Sequence, residues 1–360
     1  MMIVRPVRTE DLPAVMALAH SAGVGLTTLP PDEQVLSWRI RDSVNALEAH
    51  VRRPAGESYL LVLEDLTTGQ VVGTSGIVAK VGGFEPFYSY CLRTTQKVSK
   101  ALNVDKEIRY LELISNHAGP SEIGTLFLHR AHRHSGNGRL LSLSRFLFMA
   151  SHRHRFDDQV IAEMRGVSTP EGISPFWEAI GRHFFNIGFA EADQRSAADK
   201  SFIAELMPEH PIYIPMLAPE VQAVIGEVHE ETQPALRLIE DEGFVYADQV
   251  DIFDAGPLMA APIEDIRTVR HSREAQVRSI ARHVSSETDW LISNSRDEGF
   301  RACMGPLDEQ PREVDEPLLV DLPRDVALAL GVRLGDTVRY VSPRAPKVVP
   351  PPQWSPGEAL

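Results

Sequence analysis

The segment from Arg133 to Arg139 carries residue types that bind phosphate. Its sequence, RHSGNGR, places Gly136 and Gly138 on either side of Asn137, after a strand-like run and before a helix-like run. Glycines let successive backbone N–H groups turn toward one anion, and a helix start adds the positive end of its dipole. Arg133 and Arg139 can add charge-assisted hydrogen bonds. The pattern predicts a pyrophosphate cradle; a glycine-rich turn with solvent-exposed arginines is the alternative.

Histidines surround this loop and raise a second kind of chemistry. They stand at positions 129, 132, 134, 152 and 154. Imidazoles are common metal ligands, so a metal site is an alternative interpretation of the segment 129–154. Arginines interrupt the cluster, and cations at an anion-binding loop suit a phosphate better than a bound metal. We therefore expect no metal here.

Composition limits the classes of function. The chain has 360 residues, 43% of them hydrophobic, and 36 basic against 50 acidic residues give a net charge of −14. That balance argues against nucleic-acid binding and is compatible with a small cationic substrate. No run approaches the roughly 20 apolar residues of a membrane span, and the first residues lack a signal peptide's apolar run, so we expect a cytoplasmic protein without membrane contact. Cys91 and Cys303 are too far apart to suggest a disulfide framework or a redox motif.

The elements that must position the glycine loop follow from apolar spacing. Before the loop, the order strand, helix, helix and hairpin is predicted at residues 3–6, 12–22, 31–51 and 59–78. Residues 81–118 have mixed periodicity and are interpreted as an insertion. A strand at 122–127 leads into the loop, a helix follows from Leu140 to about Ser151, and another strand covers 160–166.

This order resembles the GCN5-related N-acetyltransferase superfamily, whose Arg-x-x-Gly-x-Gly loop lies between the fourth strand and its helix. In that fold the fourth and fifth strands splay apart, and the pantetheine arm of acyl-CoA pairs with the fourth strand. The resemblance implies that Leu126, Phe127 and Leu128 line the thioester arm. A backbone N–H near Thr125 or Leu126 is then the candidate donor to the thioester carbonyl oxygen.

Further motifs carry a closer resemblance, which covers most of the chain. They are GLTTLP at 25–30, TLFL at 125–128, GNGRLLS at 136–142, RFLFMA at 145–150, AEMRG at 162–166, SPFW at 174–177, FIAELMP at 202–208, HPIY at 210–213 and DIFD at 251–254. Together they resemble the arginine N-succinyltransferase family. Residues 131–135 and the region after Pro262 depart from the family pattern.

This family resemblance implies an activity. It is transfer of the succinyl group of succinyl-CoA to the α-amine of L-arginine, with succinyl-CoA as co-substrate and no permanently bound cofactor. The resemblance places the catalytic histidine, a proton donor, at His229, and the family's paired subunits imply a homo-oligomer or a hetero-oligomer with a paralogous subunit. The same fold acting on ornithine or another amine, and a non-catalytic acyl-CoA-binding subunit, remain alternatives.

Substrate charges suggest three more candidates. The guanidinium of arginine needs carboxylates, and Glu163 and Glu205 each lie in an otherwise apolar segment. The succinyl carboxylate needs a cation, for which Arg165 is the candidate. A solvated strand or helix face explains the two glutamates equally well, and an internal pair between Glu163 and Arg165 explains both without a ligand.

The expected fold class is α+β. We expect an N-acyltransferase-like mixed sheet flanked by helices, a second degenerate copy of part of that fold, and a small C-terminal β-rich module. The predicted organisation is an acyl-CoA-binding domain at 1–200, a second acyltransferase-like segment completing the active site at 201–260, the β-rich module at 261–342 and a disordered tail at 343–360.

Overall fold

The computed structural model describes residues 1–22, 26, 28–196, 201–296, 299–311 and 316–344. Predictions that concern Gly25, Thr27 and the tail from position 345 onward lie outside the described residues. The α-helices are α1 Leu12–Ala22, α2 Glu33–Glu48, α3 Asn137–Ser151, α4 Pro175–Ala179, α5 Gly181–Phe185, α6 Phe189–Ser196, α7 Ser201–Leu206, α8 Pro219–Gln222, α9 Gln233–Glu240, α10 Arg267–His271 and α11 Arg324–Leu330.

The strands join into one mixed sheet. They are β1 Met2–Pro6, β2 Ser58–Asp65, β3 Gln70–Val78, β4 Gly82–Ser99, β5 Val104–Ala118, β6 Ser121–Leu128, β7 Gln159–Glu163, β8 Ile212–Tyr213, β9 Val245–Val250, β10 Pro257–Pro262, β11 Arg273–Ala281, β12 Asp289–Asn294, β13 Ala302–Pro306, β14 Asp308–Glu309, β15 Leu319–Pro323 and β16 Thr337–Val341. Their order is β14-β15-β11-β16-β12-β13-β1-β2-β3-β6-β7-β10-β9-β4-β5-β8. The expected α+β class with a mixed sheet and flanking helices is confirmed.

The run at 81–118, interpreted from sequence as an insertion of unclear structure, forms the long antiparallel hairpin β4–β5. Its pairing extends from Gly82 opposite Ala118 to Ser99 opposite Val104. Near the tip both strands are exposed or half-buried on both faces. A strand that buries neither face has no reason to alternate apolar and polar residues, which explains the mixed periodicity.

Helix α3 lies on the sheet and is buried along most of its length. Ten consecutive positions, 140–149, are buried, and the helix packs on β3 and β6 as well as on β12 and β13. It begins at Asn137, three residues before the predicted start at Leu140. The left-handed backbone of Gly136 (φ 80°) turns the chain directly into the helix, so the predicted loop residues Asn137, Gly138 and Arg139 form its first turn.

Strands β6 and β7 run parallel and then separate. They pair only at Ser121 with Val160 and at Glu122 with Ile161. Beyond these two pairs, β6 stays paired with β3, and β7 stays paired with β10. The sheet therefore opens into a wedge beside the second half of β6, as the fold resemblance implied.

Candidate active site

A cavity of about 1650 Å³ occupies the wedge between the two strands. One wall is the second half of β6, and another is the chain that continues β7 through Glu163 to Ser168. His229 and the residues after it line a further side. Three polypeptide segments that are distant in sequence thus meet around one space, whose volume exceeds the roughly 300–1,000 Å³ of a typical single-ligand pocket.

A bulge shapes the β6 wall. Thr125 and Leu126 together oppose Ser75 of β3, because the register shifts by one residue between Thr74 and Gly76. Thr125 has φ 51°, a left-handed conformation that β-branched residues rarely adopt. The buried hydroxyl of Thr74 donates to the Thr125 carbonyl oxygen at 2.9 Å and holds the bulge. Bulges of this kind re-aim a strand beside a functional site.

The loop after β6 turns through two left-handed residues directly into α3. His129 begins a single turn of 3-10 helix, Ser135 (φ 52°) and Gly136 (φ 80°) are both left-handed, and α3 starts at once. Gly136, as the residue before the helix, has no side chain to cap it. Among the described residues we find no acceptor for the backbone N–H groups of Gly138 and Arg139. Free donors at a helix start are suited to bind an anion.

The loop's predicted contacts take different positions. Arg133 lines the cavity, donates from Nε to the Leu128 carbonyl at 2.9 Å and lies 5.9 Å over the Phe127 ring. The side-chain amide of Asn137 closes the loop by donating to the His132 carbonyl at 3.0 Å. Arg139 instead reaches Pro343, donating to its carbonyl oxygen at 3.1 Å. Of the two loop arginines, only Arg133 faces the cavity.

His229 begins a 3-10 turn at the far side of the cavity. Its backbone N–H donates to the Arg165 carbonyl at 2.8 Å, and the adjacent Gly166 and Val228 form a β-bridge. Its Nδ1 accepts from the backbone N–H of Glu231 at 3.2 Å. A nitrogen that accepts carries no proton, so this contact assigns the proton of the neutral ring to Nε2.

The surroundings of His229 keep its ring neutral. Burial lowers the pKa of His229, and the nearby Arg165 guanidinium lowers it further, against weaker effects of Glu231, Glu230 and the Ser168 backbone. The ring is therefore mostly uncharged at pH 7, since the ordinary value is already near 6.5.

The predicted substrate residues divide between the cavity and the surface. Glu163, the last residue of β7, and Arg165 both line the cavity. Arg165 donates to the Ser168 hydroxyl at 3.1 Å, and its Nη1 lies 3.9 Å from Glu231 Oε2. Glu205 is exposed on α7 and does not line the cavity. The structure brings Glu163, Arg165 and His229 together and leaves Glu205 outside.

Three aspartates that received no role from sequence also line this cavity: Asp193, Asp251 and Asp254. The buried Asp254 carboxylate accepts from the backbone N–H groups of Gly166 at 2.7 Å and Gly256 at 2.9 Å. Burial, then the neighbouring Asp251, raises the pKa of Asp254, while both N–H donors oppose that shift. Asp254 thereby holds the segment that carries Arg165 in place. The motif DIFD at 251–254 is the feature of the sequence that could have indicated a role for Asp251 and Asp254.

The histidine cluster does not assemble into a ligand set. His132 and His134 stack with ring centroids 6.3 Å apart, and His152 is buried against Phe148. No group of three or more His, Cys, Asp or Glu side chains in the described part of the chain is arranged to hold a metal ion.

Within that same part, no helix is both long and apolar enough to cross a membrane.

Comparison with known families agrees with this geometry. The profile of the arginine N-succinyltransferase beta subunit matches residues 2–268, and the profile of that subunit's C-terminal domain matches residues 273–342. The chain belongs to the arginine N-succinyltransferase family. The expected family and the expected acyltransferase class are both confirmed.

Individual members of the arginine N-succinyltransferase family match over nearly the whole chain. The arginine N-succinyltransferase subunit beta of Pseudomonas aeruginosa is 46% identical over 306 residues, covering 85% of this chain and 89% of the relative. The arginine N-succinyltransferase of Yersinia pestis is 44% identical over 355 residues, covering 96% of this chain and 99% of the relative. The solved structure of arginine/ornithine succinyltransferase subunit AI from Pseudomonas aeruginosa superposes with a TM-score of 0.85 at 36% identity, covering 95% and 99%.

Proposed function

We propose that the chain transfers the succinyl group of succinyl-CoA to the α-amine of L-arginine, giving N2-succinylarginine and CoA. The observation that carries this proposal is the single cavity onto which the bulged strand β6, His229 and several carboxylates all open. An acyl-CoA, a proton carrier and a cationic acceptor can therefore meet there. Membership of the arginine N-succinyltransferase family supports the choice of acyl group and acceptor.

Succinyl-CoA is the co-substrate in this proposal. Its pyrophosphate is bound at the start of α3 by the free N–H groups of Gly138 and Arg139, in the turn formed by Gly136 and Asn137, with Arg133 adding charge. Arg139, which contacts Pro343 and lies 3.8 Å from Asp241, contributes to the shape of the helix start. The pantetheine arm enters the wedge and pairs with the free side of β6.

The thioester then lies at the β6 bulge. The residues from Thr125 to Leu128 line it, and a backbone N–H near Thr125 or Leu126 stabilises the negative charge that develops on the carbonyl oxygen. The left-handed conformation of Thr125 supports this role, because it changes the direction of the strand's N–H groups at that point.

Proton transfer is assigned to His229. The reaction moves one proton from the amine nitrogen to the CoA sulfur as the carbon–nitrogen bond forms and the carbon–sulfur bond breaks. The neutral ring takes up the proton that the amine nitrogen releases, and the imidazolium so formed donates a proton to the departing sulfur, so the ring ends the cycle neutral. The lowered pKa of His229 keeps the ring in this form at pH 7.

The acceptor's guanidinium is assigned to the acidic side of the cavity. Glu163 is our main candidate, since it lines the cavity next to the segment that carries His229, and Asp251 lines the same space. Glu205 lies outside the cavity, so it could act only after a rearrangement of α7. Several carboxylates around one guanidinium favour arginine through charge-assisted hydrogen bonds.

The decisive experiment measures release of CoA thiol from succinyl-CoA with arginine and with ornithine in parallel. We expect turnover with arginine to exceed turnover with ornithine. Faster turnover with ornithine would make ornithine the acceptor, which the name of the Pseudomonas aeruginosa arginine/ornithine succinyltransferase also includes. No release with either amine would favour a non-catalytic acyl-CoA-binding subunit.

The names of two relatives describe subunits, which supports a place for this chain in an oligomer. We propose a homo-oligomer or a hetero-oligomer with a paralogous subunit. The cytoplasmic location stays a prediction from the sequence.

A further inference from the structure

Arg145 is a buried cation at the wall of the cavity. It lies in the middle of α3, has only 2% of its surface exposed, and is one of the residues that line the space beside β6. No other residue between Arg139 and His152 carries a charge, and Arg145 is followed directly by Phe146, Leu147 and Phe148. An arginine is costly in such an apolar place unless an anion compensates it.

The acceptors around the guanidinium are all neutral. Nε donates to the Ser142 carbonyl at 3.0 Å, Nη2 to the Ser142 hydroxyl at 2.8 Å and Nη1 to the Gly124 carbonyl at 3.4 Å. Arginine has five N–H donors, so one N–H on each terminal nitrogen is left without an acceptor among the described residues. No carboxylate in the described ranges forms an ion pair with it.

The guanidinium remains charged despite its burial. Desolvation lowers the pKa of Arg145 to about 9. At pH 7 the side chain is therefore still a cation with two unused donors. In this buried environment its attraction to an anion is stronger than it would be in water.

Its position relative to the bulge limits which anion fits. The Gly124 carbonyl that it contacts belongs to the residue before Thr125, where the thioester carbonyl is proposed to lie. A succinyl group carries its free carboxylate only three bonds beyond the thioester carbon. A cation one residue away from the proposed oxyanion donor is thus within reach of that carboxylate.

We propose that Arg145 binds the terminal carboxylate of the succinyl group and so selects a dicarboxylic acyl-CoA. This inference rests on the proposed function for the position of the thioester. Arg165, the candidate from sequence, already contacts Ser168 and Glu231, whereas Arg145 has no anionic partner in the described part of the chain. Arg165 thus has a carboxylate beside it, although its buried Nε has no hydrogen-bond partner among the described residues, whereas no carboxylate lies beside Arg145.

The test compares two stable thioether analogues of CoA, one carrying a 3-carboxypropyl group on sulfur and the other a butyl group. Calorimetry gives the affinity of each for the wild-type protein and for Arg145→Met. We expect the wild-type protein to prefer the carboxylate analogue and the variant to lose about a hundredfold of that preference. Affinity for the butyl analogue should stay within a few-fold.

Arg155→Met is the matched control. Arg155 is a second buried arginine, which donates to the Ala46 and Ala49 carbonyls, and it does not line the cavity. Its replacement should lower stability and leave the preference between the analogues unchanged. Equal loss of both analogues in Arg145→Met would instead make Arg145 a support of the β6 bulge, and loss of preference only in Arg165→Met would assign the carboxylate to Arg165.

Two further measurements separate the possible failures. If Arg145→Met does not fold, Arg145→Lys keeps the charge without the planar fork, and we expect about a tenfold loss of preference; an unchanged preference overturns the proposal. Turnover of succinyl-CoA by the wild-type protein tests the proposed function separately. If the protein shows no turnover but still has an Arg145-dependent preference, the carboxylate site is supported and the proposed reaction is contradicted.

Discussion

The backbone N–H of His229 donates to the carbonyl oxygen of Arg165 across 2.8 Å. Together with the bridge between Gly166 and Val228, this bond attaches the histidine to the chain that continues β7. The main chain of His229 is therefore held at one side of the wedge, while the bulged β6 forms the other. A proton carrier fastened in this way is positioned before any substrate arrives.

Replacing His229 with asparagine tests the proton carrier. Asparagine keeps a polar side chain and is itself a good residue at the start of a helical turn, so the local structure should survive. We expect kcat to fall by about a hundredfold or more, with both substrates still binding, because the amide cannot exchange a proton near pH 7. Steady-state kinetics with arginine and succinyl-CoA, across pH, is the measurement.

His129→Asn is the control for that variant. His129 also begins a 3-10 turn, and its Nδ1 accepts from the Ala131 N–H at 3.3 Å, so the structural change is the same. His129 also lines the cavity but lies on the side of the CoA loop, away from His229, so its replacement should change kcat by at most a few-fold. Equal losses in the two variants would reduce His229 to a capping residue.

The lowered pKa of His229 also predicts how stability depends on pH. Its folded-state pKa is below the ordinary 6.5, so the unfolded chain binds more protons as pH falls below about 6.5. The contribution of His229 is therefore present above that pH and is lost on acidification. Between pH 8 and pH 5, Tm should fall further in the wild-type protein than in His229→Asn. Parallel curves for the two proteins would contradict this sign.

Gly136→Asp should weaken binding of succinyl-CoA, because it places a carboxylate where the pyrophosphate is expected. Gly136→Asn is the matched control, since both side chains are tolerated similarly in a left-handed backbone and only one is charged. We expect the aspartate variant to have a Kd for CoA at least tenfold above that of the asparagine variant, with similar Tm. Identical Kd values would show that the pyrophosphate of CoA does not bind at this loop.

Thr74→Val tests whether the bulge matters for catalysis. The valine is isosteric and removes the hydroxyl that donates to the Thr125 carbonyl. Loss of this buried bond should lower the free energy of unfolding by about 1–3 kcal/mol. It should also lower kcat several-fold, as Thr125 relaxes from its left-handed conformation. Thr74→Ser keeps the hydroxyl and should therefore restore most of the stability and most of kcat. If the serine variant is as impaired as the valine variant, the loss comes from packing of the methyl group and not from the hydrogen bond.

The two predicted guanidinium ligands can be separated by kinetics. Glu163→Gln should raise the KM for arginine about tenfold and leave the KM for succinyl-CoA nearly unchanged, because only the acceptor would lose a charged partner. Glu205→Gln should leave both constants unchanged if α7 keeps the position seen here. A raised arginine KM in the second variant alone would show that α7 moves to the substrate.

Local signals made parts of this site predictable. The glycine pair at 136 and 138 reports a tight turn into a helix, and that inference needs only the neighbouring residues. The left-handed Thr125 could not be inferred in this way, because its own β-branched side chain opposes that conformation and only pairing with β3 imposes it. Arg145 left a clear signal, since it is the one charged residue between Arg139 and His152 in a long apolar run, but the meaning of that charge depends on the neighbouring cavity.

Strand β1 has a consequence for how the protein is made. Val4 pairs with Leu63 of β2 on one side and with Ala302 of β13 on the other. The second partner is translated almost at the end of the chain. At the usual synthesis rate of about 5–20 residues per second, β13 leaves the ribosome roughly 15–60 s after β1. Throughout that interval one edge of β1 has no partner strand, which is the condition that favours aggregation and chaperone binding.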